Sequence, residues 1–262
     1  MKEIESNKKA WSLVSEDHYN HYKKSFEENS YLFNPIVLSE LGDVSGKKIL
    51  HLQCNTGADS IVLAKMGAQV TGVDLVPENI YFAEKLANDL GVANVDFFEC
   101  DIMALMDNHI GKYDIIFTSD GCIGWLPDLK KWGKTIRYFL KDDGFFYVHD
   151  SHPFYYTFDE VKIRENIIEI KYPYFGKEPD VSNEIGGYAS DYKEAENYFW
   201  MYTVSQLVNA IAGAGLFIEY FNEYDRCAQG MGGSILDKKG LSYFPHLEGK
   251  LPLVFSLKAT VR

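Results

Sequence analysis

Short apolar runs recur along this chain, each closed by a polar turn and followed by a stretch with helical spacing. The pattern predicts strand 48–53, helix 58–66, strand 69–74, helix 77–90 and strand 95–99. It continues through strand 113–118, helix 128–140 and strand 144–150, then helix 203–214 and strands 216–224 and 252–261. Pro77 suits the first turn of its helix, and Gly91 its C-terminal stop. Upstream, Trp11, Val14, His18, Tyr22 and Phe26 fall at helical spacing, which predicts a helical cap over 8–41 with a break at Asn34-Pro35. Regular strand–helix alternation implies right-handed crossovers and a parallel sheet. The last two strands follow each other without a helix and so read as an antiparallel hairpin at the sheet edge. The expected fold is therefore α/β, a Rossmann-like open sheet, mostly parallel, over a single domain of residues 1–262.

Residues 151–200 break the alternation. They are rich in Tyr, Phe, Pro and Gly, as in His152-Pro-Phe-Tyr-Tyr156 and Lys171-Tyr-Pro-Tyr-Phe-Gly176. A long aromatic insertion after a strand's C-terminal end is placed to act as a lid over a ligand. The other reading is a peripheral hairpin that only packs.

Composition narrows the classes. Net charge is -12, from 26 basic and 38 acidic residues with no basic run, which argues against a nucleic-acid partner. No apolar stretch is long enough to cross a membrane, and Met1–Asn7 lacks the apolar core of a signal peptide. The four cysteines, at 54, 100, 122 and 227, show no CxxC spacing, so a cytoplasmic protein without a metal site is expected. The 18 tyrosines and 17 phenylalanines fit either core packing or a pocket with aromatic walls.

The chemistry concentrates in 47–101. The first strand runs into Gln53-Cys-Asn-Thr-Gly57, the second ends in Gly72-Val-Asp74-Leu75, and the third leads to Cys100-Asp101-Ile102. A turn and two carboxylates at the C-terminal ends of three parallel strands describe a nucleoside pocket. Together with Asp114-Ile-Ile-Phe-Thr-Ser119, Leu140-Lys-Asp-Asp-Gly-Phe145, Trp125-Leu-Pro-Asp128, Trp132 and His152-Pro153, these motifs resemble the class I S-adenosylmethionine-dependent methyltransferases, in a bacterial small-molecule branch. The resemblance covers about residues 11–262 and is strongest over 48–153. It departs from the family pattern at His51, which replaces an acidic residue, and at Gln53 and Asn55, which replace glycines. Asn55 tolerates the positive φ such a turn needs.

The resemblance implies S-adenosylmethionine as cofactor, S-adenosylhomocysteine as its product, and a small-molecule acceptor through oxygen or nitrogen. It gives Asp74 the ribose hydroxyls and Asp101 with Ile102 the adenine. Gln53, Cys54, Asn55, Gly57 and Leu75 join them in the cofactor set, and Ser119 and Asp120 flank the reacting centre. Tyr19 is the first choice for a ring near the sulfonium, ahead of Tyr22, Tyr155 and Tyr156. His152 and His18 are the candidate bases, with His21, His149 and Asp150 nearby. The chain is expected to be a monomer or homodimer. The alternatives are a nicotinamide-dependent oxidoreductase on a similar sheet, which the lost glycines disfavour, and a member that binds cofactor without turnover.

Overall fold

The computed structural model describes residues 1–228 and 231–262. In chain order the elements are α1 (Lys2–Glu27), α2 (Pro35–Leu41), β1 (Lys48–Leu52), α3 (Ala58–Lys65), β2 (Gln69–Asp74), α4 (Pro77–Asp89) and β3 (Val95–Glu99). Then follow α5 (Leu105–Asn108), β4 (Tyr113–Ser119), α6 (Leu129–Phe139), β5 (Leu140–Ser151), β6 (Asp180–Ile185) and β7 (Lys193–Phe199). The chain finishes with α7 (Val204–Gly213), β8 (Leu216–Tyr224), β9 (Ile235–Leu236), β10 (Ser242–Tyr243) and β11 (Val254–Val261).

Seven strands form one sheet in the order β3-β2-β1-β4-β5-β11-β8. The pairs from β3 through β5 are parallel, while β11 runs antiparallel to both β5 and β8. The expected hairpin is present, but its second strand lies inside the sheet and β8 forms the edge. Side chains alternate between faces with the two-residue period of a strand. Leu50, Ile116, Phe146 and Val148 pack under Trp132, Ile136, Phe139 and Ile211 on one side. Ile49, Phe117 and Tyr147 meet Val37, Val44 and Leu63 on the other. Burial on both faces explains why the central strands read as continuous apolar runs. Strand order reverses between β1 and β4, and in open α/β sheets ligands bind at the C-terminal ends of strands at such a point.

The cap is two helices, the second beginning at Pro35 where the break was expected, while the first begins ahead of residue 8. The α1 helix starts at Lys2 and stops at Glu27, where Asn29 takes a φ of 52°. Asn34 then caps α2, its side chain accepting from the Ile36 amide at 2.9 Å. The aromatic insertion contains the β6–β7 hairpin, and α1 is tied to it by Asn7. The Asn7 side-chain amide donates to the Tyr198 carbonyl at 2.8 Å and accepts from the Tyr198 amide at 2.7 Å, as a neighbouring strand would. On its other side α1 meets α4, where Ser15 donates to Asn79 Oδ1 at 2.6 Å. The fifth strand begins at Leu140 rather than 144, pairing Leu140 with Tyr113 ahead of a register shift. The elements α5, β6, β7, β9 and β10 lie where the hydrophobic pattern predicts no helix or strand. The Gly-rich loop that the sequence Gln229-Gly-Met-Gly-Gly233 predicts lies partly outside the described residues.

Candidate functional site

A cavity of about 550 Å³ opens above the C-terminal ends of β1, β2 and β4. Its floor is the turn after β1, the ends of β2 and β3, and the loop after β4. Trp11, His18 and Tyr22 of α1 and Ile185, Tyr188 and Phe199 of the insertion also line it. Of the residues expected in the cofactor set, Gln53, Cys54, Asn55, Asp74, Leu75, Asp101, Ile102, Ser119 and Asp120 all line this cavity.

The turn after β1 is built from left-handed backbone. Gln53, Asn55 and Gly57 take φ of 58°, 49° and 77°. The Asn55 side-chain oxygen holds the turn by accepting from the Thr56 amide at 2.6 Å, so the expectation for Asn55 is met by a side chain doing a glycine's work. Positive φ at Gln53 was not expected; its Nε2 donates to the Cys122 carbonyl at 2.8 Å, which ties the β1 turn to the β4 loop. Gly57 does not line the cavity, contrary to its place in the expected set. It enters α3 under the Phe97 ring, which a Cβ there would meet at 2.6 Å.

Asp74 anchors this corner. Its Oδ2 accepts from the Asn55 amide at 2.9 Å, and its Oδ1 accepts from the Val76 amide and from Asn79 Nδ2, both at 3.0 Å. Burial raises its pKa against the pull of these donors. Asp101 caps the following turn through the Met103 amide at 2.8 Å. Asp150 stands behind the β4 loop. It accepts from the amides of Gly121, Cys122 and Ile123 at 2.7, 3.0 and 2.9 Å, and burial pushes its pKa up to about 6.

His51, in the place of an acidic residue, is buried with Nδ1 2.7 Å from Ser60 Oγ. Burial holds its pKa down to about 3, so it is neutral near pH 7. Beyond it, Ser119 donates to Asp59 Oδ2 at 2.7 Å, and Tyr31 donates to the other Asp59 oxygen. Asp120 pairs with His149. Burial alone lowers the His149 pKa, but the Asp120 carboxylate outweighs it and the pKa is raised.

Three expectations fail on orientation. Tyr19 points away from the cavity: its ring stacks on Phe82 at 5.3 Å and its hydroxyl donates to Asp89 of α4. His152 is buried elsewhere, with Nε2 2.9 Å from Glu223 of β8 and Nδ1 accepting from the Phe154 amide, so it is not placed as a base in the cavity. Tyr155 packs against Phe244, while Tyr156 does line the cavity. His18 is in the cavity, and burial holds its pKa down to about 4. Asp59, Tyr31, Asn79 and Tyr188 were missed. Only Asp59 carried a local signal, as the acid in the first turn of the helix that opens at Gly57.

The two neutral histidines make a pH prediction. Unfolded, they take up protons below 6.5; folded, they resist down to about 4 and about 3. Protons therefore favour the unfolded chain at these sites as pH falls through that window. The buried carboxylates with raised pKa act in the opposite sense, so the test is differential. The melting temperature of His51→Gln relative to the native chain is expected to shift in the variant's favour as pH drops from 6.5. A pH-independent difference would contradict neutral burial of His51.

A family model described as "Methyltransferase domain" matches residues 43–175, half of the chain. A Shewanella sediminis 23S rRNA (uracil(1939)-C(5))-methyltransferase is 36% identical over 93 residues, which is 35% of this chain and 21% of that protein. An Actinobacillus pleuropneumoniae ubiquinone biosynthesis O-methyltransferase is 31% identical over 122 residues, covering 44% of this chain and 51% of that one. The matched stretch is thus about half or less of these relatives' length. Among solved structures, a SAM-dependent methyltransferase from Methanosarcina mazei superposes with a TM-score of 0.60 at 18% identity, over 88% of this chain and 100% of that chain. At that identity the likeness concerns the fold.

Proposed function

Because the chain belongs to the methyltransferase-domain family, we propose that it is an enzyme that moves a methyl group from S-adenosylmethionine to a small-molecule acceptor. The observation that carries this reading is that Asp74 and Asp101, at neighbouring strand ends, share one cavity with the Gln53–Thr56 turn. Asp74 spends three of about four acceptor positions on the protein, which leaves capacity for a ribose hydroxyl. Asp101 faces the same cavity with Ile102, as an adenine would require. Gln53 Oε1 and Thr56 Oγ1 are buried with no partner among the described residues, and their chemistry fits the charged ends of an amino acid.

When bound, the cofactor supplies an electrophilic methyl group on a sulfonium. The chain's part is to bind, orient and keep out water. Gln53 and Asp74 hold the two sides of the β1 turn, Asp150 fixes the β4 loop against it, and the aromatic residues from α1 and the insertion cover it. A nicotinamide cofactor fits less well, since side chains at Gln53 and Asn55 stand where a pyrophosphate needs close backbone approach.

The relatives named above act on rRNA and in ubiquinone biosynthesis, so the acceptor is argued from the cavity itself. A pocket covered by a helix and a hairpin, in a chain of net charge -12, suits a small molecule. Incubation with S-adenosylmethionine carrying a labelled methyl group tests this. Label is expected to pass to members of a small-molecule panel and not to rRNA or protein; transfer to rRNA alone would overturn the acceptor class.

A further inference from the structure

We propose that the acceptor end of the cavity is built for a nitrogen cation, an amine on a flat or aromatic frame, and rejects anions. The inference rests on the methyl-donor reading and adds to it the class of acceptor. Four carboxylates line the cavity, Asp59, Asp74, Asp101 and Asp120, and among the described residues no lysine or arginine does. They divide into two pairs about β1. Asp74 and Asp101 belong to the ends of β2 and β3, the nucleoside side. Asp59 and Asp120 lie on the β4 side and are joined through Ser119, which donates to Asp59 and precedes Asp120 in the chain. Asp120 pairs with His149, whereas Asp59 accepts only from the Tyr31 and Ser119 hydroxyls and has no basic side chain beside it among the described residues.

His18 supplies an independent observation. It is fully buried and lines the cavity, yet its Nε2 has no hydrogen-bond partner among the described residues. Its Nδ1 lies 3.3 Å from Asn55 Oδ1 and 3.3 Å from the Tyr188 hydroxyl. Asn55 Oδ1 already accepts the Thr56 amide, so it is an oxygen and cannot donate. Only a proton on Nδ1 satisfies both contacts, and Nε2 is then a bare lone pair. The ring is neutral near pH 7, so this lone pair persists. It calls for a donor, which an ammonium provides and a carboxylate or phosphate does not. Tyr22, Tyr31, Tyr188 and Trp125 line the same space, and aromatic rings favour a nearby cation and a flat frame.

Three probes share a phenol ring and differ in charge: tyramine, 4-ethylphenol and 3-(4-hydroxyphenyl)propionate. Each is titrated calorimetrically into the protein saturated with S-adenosylhomocysteine, and into the protein alone. Tyramine is expected to bind about tenfold more tightly than 4-ethylphenol, and the propionate not at all. Asp59→Asn is expected to remove most of the advantage of tyramine over 4-ethylphenol, both measured on the same variant; Asp120→Asn gives a second reading should the first variant not fold. Absence of a preference for the cation, or a preference that survives both substitutions, overturns the proposal. If S-adenosylhomocysteine fails to bind while the free protein still prefers tyramine, the donor reading falls and the cation site stands.

Discussion

Asp74→Ala is expected to weaken S-adenosylhomocysteine binding by roughly a hundredfold or more while the protein still folds. Hydrogen bonds to an ionised group contribute about 1.5–3 kcal/mol each, and tenfold in affinity is about 1.4 kcal/mol, so the loss of the one ribose contact alone reaches about ten- to a hundredfold. A second effect adds to it. Without Asp74 the amides of Asn55 and Val76 and the Asn79 side chain lose their acceptor, and the β1 turn loses its link to β2. The Asp74→Asn variant keeps acceptor oxygen at one position and is expected to lie between alanine and the native chain. Calorimetry on variants with native circular dichroism reads both. Unchanged affinity in a folded Asp74→Ala protein would remove Asp74 from the cofactor site.

Asp150→Ala carries the largest expected loss of stability. Three successive amides, Gly121, Cys122 and Ile123, converge on this one buried carboxylate, and the Ser151 amide adds a fourth at 2.6 Å. A buried donor left without an acceptor costs about 1–3 kcal/mol, so three of them put the loss at roughly 3 kcal/mol or more. That is a large share of the 5–15 kcal/mol typical of a domain. The damage also reaches the site, because Cys122 carries the carbonyl that receives Gln53. Urea unfolding is expected to show a sharply lower midpoint for Asp150→Ala and an intermediate one for Asp150→Asn. An unfolding free energy within about 0.5 kcal/mol of the native chain, the range of an ordinary surface substitution, would mean that solvent replaces the carboxylate.

Local signals made most of the fold legible. The strands at 69–74, 95–99 and 216–224 were read with their observed bounds, because turn residues mark both ends of each apolar run. The start of β5 was misplaced because Leu140 through Gly144 reads as a turn, and only pairing with β4 recruits Leu140 into the sheet. The floor of the cavity was legible for the same local reason: a residue at a parallel strand's C-terminal end must face the switch point. Orientation on a helix was not. The periodicity of α1 locates its apolar positions, yet it cannot say that Tyr19 turns to Phe82 and Asp89 while His18 and Tyr22 turn to the cavity. His152 lies just past β5, where the chain turns and takes it to Glu223 on β8, a strand that starts 64 residues later. Asp59, Tyr31 and Tyr188 come together only in three dimensions, from α3, the turn after α1 and the aromatic insertion.

The central claim is that this cavity holds S-adenosylmethionine, and calorimetric titration with S-adenosylhomocysteine, with NADH in parallel, tests it most directly. Saturable binding of S-adenosylhomocysteine alone, near one molecule per chain, is the predicted result. Binding of NADH with no response to S-adenosylhomocysteine, in protein shown to be folded, would contradict it.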